Sequence, residues 1–196
     1  MLTKICLYHK MPRIMLKAPW TIWITGLSGS GKTTIAKRIL ELLESRRDKA
    51  DYLRLDEIRQ VITPNPVFTK EEREFVYRSS VYIAHILNRH NINVVIDSVD
   101  GEGTGRALCR EMIENFEVIF INCPLEICIE RERVRTDRAK IEKLYERAIQ
   151  GELKIAGYGN PYAHEKFPFL QVDSDKLTID QAAGTIIEAI YGPVMD

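Results

Sequence analysis

Residues Gly26-Leu27-Ser28-Gly29-Ser30-Gly31-Lys32-Thr33 constrain this chain more than any other stretch, because they satisfy every position of the pattern GxxxxGK[ST]. The chemistry of phosphate explains each position. The glycines let the backbone bend so that successive amide N–H groups point inward and the main chain meets an anion with no Cβ in the way. A helix opening near Lys32 adds the positive end of its dipole. Lys32 can reach the β- and γ-phosphates of a nucleoside triphosphate as a mobile point charge, and the Thr33 hydroxyl can ligate Mg²⁺. The eight residues and the following Thr34 are therefore the candidate cofactor site, for ATP with Mg²⁺.

The setting agrees with the motif. Thr21 to Thr25 is β-branched and aromatic, and a helical pattern through Ile35, Ile39, Leu42 and Leu43 follows the glycines, which reads as strand, loop, helix. Tyr52 to Leu55 predicts a second strand, and Thr63-Pro64-Asn65-Pro66 stops the helix that begins near Asp56. A longer helix is expected from Thr69 to Arg89, with Thr69 as N-cap and Glu72 at the capping-box position. Asn93 to Ile96 is a continuous apolar run closed by Asp97, as in a strand buried on both faces. A helix around Arg106 to Glu114, a strand at Glu117 to Ile121, a helix after Pro124, a last strand at Phe169 to Val172 and a helix at Ile179 to Tyr191 complete the alternation. Alternating strands and helices predict an α/β protein: a P-loop NTPase three-layer α/β/α sandwich with a mainly parallel central sheet.

Composition bounds the partners. The 28 Lys+Arg balance 28 Asp+Glu, so no global field draws the chain to nucleic acid or to an anionic membrane, and an anion must be captured locally. The apolar runs are far shorter than a bilayer span, so no membrane partner is expected. Cys6, Cys109, Cys123 and Cys128 form no CxxC pair, and reduced structural thiols in a cytoplasmic protein are the expectation. Residues 1–17 are basic but lack a signal-peptide core, and read as a poorly ordered N-terminal extension before a domain of 18–196. His9, His85, His90 and His164 read as surface or packing residues.

With the loop in place, further pieces line up in order along the chain: Asp56 with Ile58-Arg59, Phe68 with Arg73, Cys123-Pro124-Leu125-Glu126-Ile127-Cys128, Leu144-Tyr145 with Gly151-Glu152, Asn160-Pro161-Tyr162, and Asp173-Ser174-Asp175-Lys176-Leu177. Together with Thr21 to Thr34 they resemble adenylylsulfate kinases, which phosphorylate the ribose 3′-hydroxyl of adenosine 5′-phosphosulfate with ATP. The resemblance implies that Asp56 is the carboxylate near the acceptor hydroxyl, that Arg59 and Arg73 hold the phosphosulfate, and that Phe68 stacks on the acceptor's adenine. It also implies that Lys154 and Tyr162 bound the acceptor pocket and that a charged lid lies near 130–160, with Arg131 and Arg135 as its donors to ATP. A homodimer is implied on the same ground. A helix N-cap is the alternative role for Asp56. Asp97, in a Walker-B-like position, is its rival as catalytic carboxylate, with a capped strand end as the plain alternative.

The chain departs from the family pattern at several points. An Asp-Gly-Asp-Asn run is replaced by Arg54-Leu55-Asp56-Glu57, a family asparagine falls on Val76, and Phe-Ile-Ser-Pro falls on Ser98-Val99-Asp100-Gly101. The second adenine-stacking aromatic, expected after Lys154, appears as Ala156 or a neighbour, with Tyr158 as a substitute, and an insertion separates Glu132 from Leu144. Three readings stand open at this point: phosphorylation of adenosine 5′-phosphosulfate, phosphorylation of another nucleotide-linked metabolite or small alcohol, and a nucleotide-dependent switch with slow hydrolysis.

Overall fold

Strand β1 (Thr21–Thr25) is buried along its whole length and is the middle strand of a five-stranded parallel sheet. The computed structural model describes residues 15–67, 69–135 and 143–192. After β1 come α1 (Lys32–Ser45), β2 (Ala50–Arg54), α2 (Leu55–Ile62), α3 (Lys70–Arg89), β3 (Asn93–Asp97), α4 (Thr104–Met112) and β4 (Phe116–Asn122). The second half carries α5 (Leu125–Arg133), α6 (Leu144–Ile149), the short β5 (Ile155–Ala156) and β6 (Gly159–Asn160), then β7 (Leu170–Asp173) and α7 (Ile179–Tyr191). The sheet order is β2-β3-β1-β4-β7.

Period-two geometry explains why the strands read as unbroken apolar runs. Ile22, Ile24, Val95, Ile119, Ile121 and Val172 face one side, where Ile35, Ile39, Ala183 and Ile186 of α1 and α7 cover them. Trp23, Val94, Ile96 and Val118 face the other, against Val76, Val81 and Ala84 of α3 and Cys109 of α4. Both faces are dry, so the strand centres are apolar and polar residues fall at the strand ends, where Thr21, Thr25, Asn93 and Asp97 are buried. The result is the expected three-layer α/β/α sandwich. Close packing sets one glycine in α4: a Cβ on Gly105 would come within 2.3 Å of the Trp23 ring, so only glycine lets this helix lie down on the sheet.

Local chemistry sets the helix ends. Thr69 caps α3 by accepting from the Glu72 amide at 3.2 Å, as predicted. The Glu72 carboxylate accepts from the Val67 amide at 2.6 Å and from Arg59 at 3.0 Å. Helix α7 has the predicted bounds and opens with a reciprocal capping box between Thr178 and Gln181. Helix α4 starts two residues before Arg106, because the Asp100 carboxylate accepts from the amides of Gly105 and Arg106 at 3.2 and 2.9 Å. Strand β2 ends at Arg54, and Leu55 turns into α2 to bury its side chain.

Of the segment read as an extension, residues 1–14 lie outside the described residues; Leu16 packs on the α1/α7 layer, its amide donating to Ile190 O at 3.0 Å. Among the described residues no helix is long and apolar enough to cross a membrane. Cys109, Cys123 and Cys128 are free and buried, and burial pushes the Cys128 thiol up to about 12, which keeps it protonated.

Candidate active site

Beyond the carboxyl ends of β1, β2 and β3 lies a cavity of about 790 Å³, the region where open parallel sheets take their ligands. One wall is the Gly26 to Thr33 loop. Glycine is required at Gly29, where φ is +81° and a Cβ would stand 2.2 Å from the Cys128 carbonyl oxygen. Three loop carbonyls are engaged: within the loop Leu27 O accepts from Lys32 Nζ at 2.8 Å, and from outside it Ser28 O accepts from Tyr145 at 2.9 Å and Ser30 O from Ser174 at 2.7 Å. The Ser30 amide donates to Leu27 O at 3.1 Å, and the turn it closes aims the neighbouring amides at an anion. Helix α1 adds its first-turn amides, with no side-chain cap and no acid in that turn to neutralise them. Lys32 is buried and Thr34 is exposed, off the cavity wall.

At the floor, Thr33 Oγ1 donates to Asp97 Oδ2 at 2.5 Å, and the Tyr52 hydroxyl donates to the same oxygen at 2.9 Å. Burial, then the Asp97 charge, raises the pKa of Tyr52, so its hydroxyl stays a donor. Thr33 and Asp97 together offer hard oxygen ligands of the kind Mg²⁺ takes. Among the described residues no three His, Cys, Asp or Glu side chains could cage a metal. That suits Mg²⁺, which binds through one or two side chains plus phosphate oxygens.

The facing wall carries Asp56, Arg59, Arg73, Lys154 and Tyr162, all on the same cavity. Asp56 is exposed in the first turn of α2, whose N-cap is Arg54, so the alternative of Asp56 as N-cap is excluded. Arg59 pairs with Glu72 at 3.0 Å, and Arg73 with Glu102 at 3.5 Å. Tyr162 is mostly buried, its hydroxyl 2.8 Å from Thr25 Oγ1. Because Thr25 donates to Val99 O at 2.7 Å, the Tyr162 hydroxyl is the donor in that contact. Phe68 lies outside the described residues.

Arg131 stands elsewhere. Its planar fork is satisfied by Ser174, through Oγ at 3.2 Å and O at 2.9 Å, and it props the loop from behind instead of lining the cavity. Arg135 pairs with Glu132 at 3.5 Å, and residues 136–142 of the lid segment lie outside the described residues.

The departures also find their places. Asp100 is buried and pairs with buried Arg106 at 3.2 Å, while Arg106 also donates to Ala163 O at 2.7 Å. Its carboxylate ties the 98–104 turn to the 161–165 segment, a scaffolding role. Val76 is fully buried in the core behind the wall. Ala156 lines the cavity, whereas Tyr158 packs against the Cys123, Cys128 and Tyr145 cluster, as Leu27 of the loop also does. Tyr52, Tyr145 and Arg106 are site residues that sequence reasoning passed over, since each acts through a partner far away in the chain. Ser174 carried a signal, the Asp-Ser-Asp run after the last strand.

A family model described as adenylylsulphate kinase matches residues 18–173. An adenylyl-sulfate kinase of Halothermothrix orenii is 32% identical over 169 residues, covering 86% of this chain and 87% of that protein. A probable adenylyl-sulfate kinase of Pyrococcus abyssi is 33% identical, with coverage of 86% and 92%. Among solved structures, the Mycobacterium tuberculosis APS kinase in complex with AMPPNP and APS superposes with a TM-score of 0.78 at 26% identity, covering 88% of this chain and 98% of that one.

Proposed function

The chain belongs to the adenylylsulphate kinase family, and from that premise we propose that it transfers the γ-phosphoryl group of ATP to the 3′-hydroxyl of adenosine 5′-phosphosulfate. The observation that carries the reading is a single cavity with a triphosphate cradle on one wall and Arg59, Arg73 and Lys154 on the other. A doubly charged acceptor and a triphosphate tail need cations from both sides, with the reacting atoms held between them.

The residues divide the work. Loop amides and Lys32 bind the phosphates, and Lys32 leaves Leu27 O to do so. Mg²⁺ would be held by the Thr33 hydroxyl with Asp97 behind it, and supplies charge neutralisation at the phosphates. Asp56, exposed on the wall, orients the acceptor hydroxyl and accepts its proton. Arg59 and Arg73 take the acceptor's anionic end, with Phe68 on its adenine. Residues near 130–160 close as a lid, Arg131 and Arg135 marking its start. A cytoplasmic homodimer belongs to the same reading; the free buried thiols support the compartment. Light scattering tests the dimer, and a monomer mass removes it.

One observation favours a second acceptor class: Ala156 stands where the family pattern has an aromatic, so an acceptor without adenine loses less here. A coupled assay with ATP and adenosine 5′-phosphosulfate tests the proposal, with formation of the 3′-phosphorylated product expected. No turnover with that acceptor, alongside ADP release with another alcohol, rejects the acceptor and keeps the kinase.

A further inference from the structure

We propose that Tyr52 is a positioning residue for the metal end of this site: its hydroxyl fixes the Asp97 carboxylate against which Thr33 presents its oxygen to Mg²⁺. The inference rests on the kinase reading above and deepens it.

Three elements converge on one oxygen atom. Tyr52 comes from β2, Asp97 from the end of β3 and Thr33 from the first turn of α1, and both hydroxyls donate to Asp97 Oδ2, at 2.9 and 2.5 Å. Thr33 has one proton and two lone pairs. While the Thr33 proton points at Asp97 Oδ2, the lone pairs are aimed by the carboxylate, so the direction of the metal bond depends on how firmly Asp97 is held. A carboxylate bonded to Thr33 alone could rotate together with it. Tyr52 removes that freedom, because its ring is a rigid arm on a strand in register with β3, Tyr52 lying beside Val95.

The register adds a second observation. Arg54 is paired directly with Asp97, and the family pattern sets an acid at that position of β2. Here position 54 is a buried arginine tied to Glu57 at 3.0 Å, and the acid at this level of the sheet stands one strand over, where Thr33 and Tyr52 meet it. Tyr52 supplies the support that this carboxylate needs beside an arginine already engaged elsewhere.

Tyr52→Phe tests this, since it keeps the ring and removes one oxygen. The readout is Mn²⁺ binding to the enzyme·ADP complex by electron paramagnetic resonance, beside calorimetric binding of adenosine 5′-phosphosulfate without metal. A lost outer-shell hydrogen bond predicts a rise of about 10-fold in the Mn²⁺ dissociation constant, with acceptor binding unchanged and the Mg²⁺ requirement for turnover shifted alike. Asp97→Asn, which removes the charge itself, is expected to weaken Mn²⁺ further. Unchanged Mn²⁺ affinity in Tyr52→Phe, or equal losses for Mn²⁺ and acceptor, overturns the positioning role and leaves the kinase reading intact. A wild-type protein that binds no Mn²⁺·ADP overturns both.

Discussion

The two walls of the cavity are made in opposite ways. The phosphate wall is eight consecutive residues whose shape is set by backbone and glycine, with three of its carbonyls bonded to Lys32, Tyr145 and Ser174. The acceptor wall is gathered from α2, α3, the 98–104 turn and the 154–163 segment, and its arginines are held by carboxylates, Arg59 by Glu72 and Arg73 by Glu102. A triphosphate is common to all P-loop kinases and can be met by a rigid local device. An acceptor differs from one kinase to the next, and its wall is built from side chains that can be exchanged while the sheet stays the same.

The largest test of this contrast is Lys32→Ala. Lys32 is the one mobile charge in an otherwise backbone-built wall, so its loss predicts a fall of about 10³-fold in kcat, with the acceptor's affinity retained. Full turnover in that variant would falsify the kinase reading outright.

Asp56→Asn comes next. The residue is exposed on the acceptor wall with no hydrogen bond among the described residues, so its removal should leave the fold and the Mg²⁺ requirement untouched. In a loose transition state a base contributes at the low end of its range, and a drop of about 10²-fold in kcat is expected. If the Mg²⁺ requirement moves instead, Asp56 belongs to the metal end and the division between the walls is wrong.

How much of this was legible in the sequence follows the same division. The phosphate loop could be read because its function is local: each glycine and the Lys-Thr pair act at their own positions. Strands β1 and β3 could be read because burial on both faces leaves Ile22 to Ile24 and Val94 to Ile96 without polar positions. Helix α7 was legible from its period alone. The acceptor wall was only partly legible. Asp100 looked like a change in acceptor chemistry until its carboxylate was found on Arg106 and two amides of α4, contacts that spacing alone does not reveal. Arg131 is tied to Ser174, 43 residues away in the chain, a contact that its charge and position do not reveal. Tyr52 and Asp97 are 45 residues apart and meet only because β2 and β3 pair in parallel register. The short β5 and β6 have no pattern to announce them, being two residues each.

Arg73→Ala and Arg59→Ala sharpen the acceptor side. Each should raise the acceptor KM by about 10-fold, the worth of one charge-assisted hydrogen bond, and leave the ATP KM alone. They should differ in stability. Arg73 is 35% exposed at a 3.5 Å contact, so its removal leaves Tm unchanged, whereas Arg59 is 14% exposed against a Glu72 of 9%, and its removal lowers Tm. Equal Tm losses would mean that both arginines are structural.

The smallest expected effect tests where the boundary between the walls runs. If Tyr158 had taken over the aromatic role missing at Ala156, its ring would stack on the acceptor's base, and replacing it would cost about 1–3 kcal/mol, roughly 5- to 150-fold in acceptor KM. Its ring instead packs against the Cys123, Cys128 and Tyr145 cluster, as Leu27 of the phosphate loop also does, and its amide and carbonyl bond back to Ile155 at 3.0 and 3.1 Å. Tyr158→Leu keeps an apolar side chain in that cluster, off the cavity wall, so the acceptor KM should stay within about 2-fold, the scale of a substitution away from the site. Any loss should fall on the ATP KM, because Tyr158 packs against the same cluster as Leu27, whose carbonyl holds Lys32. An acceptor KM raised beyond that limit, with the ATP KM unchanged, would move Tyr158 to the acceptor wall and make the 154–163 segment a part of the base-recognition surface.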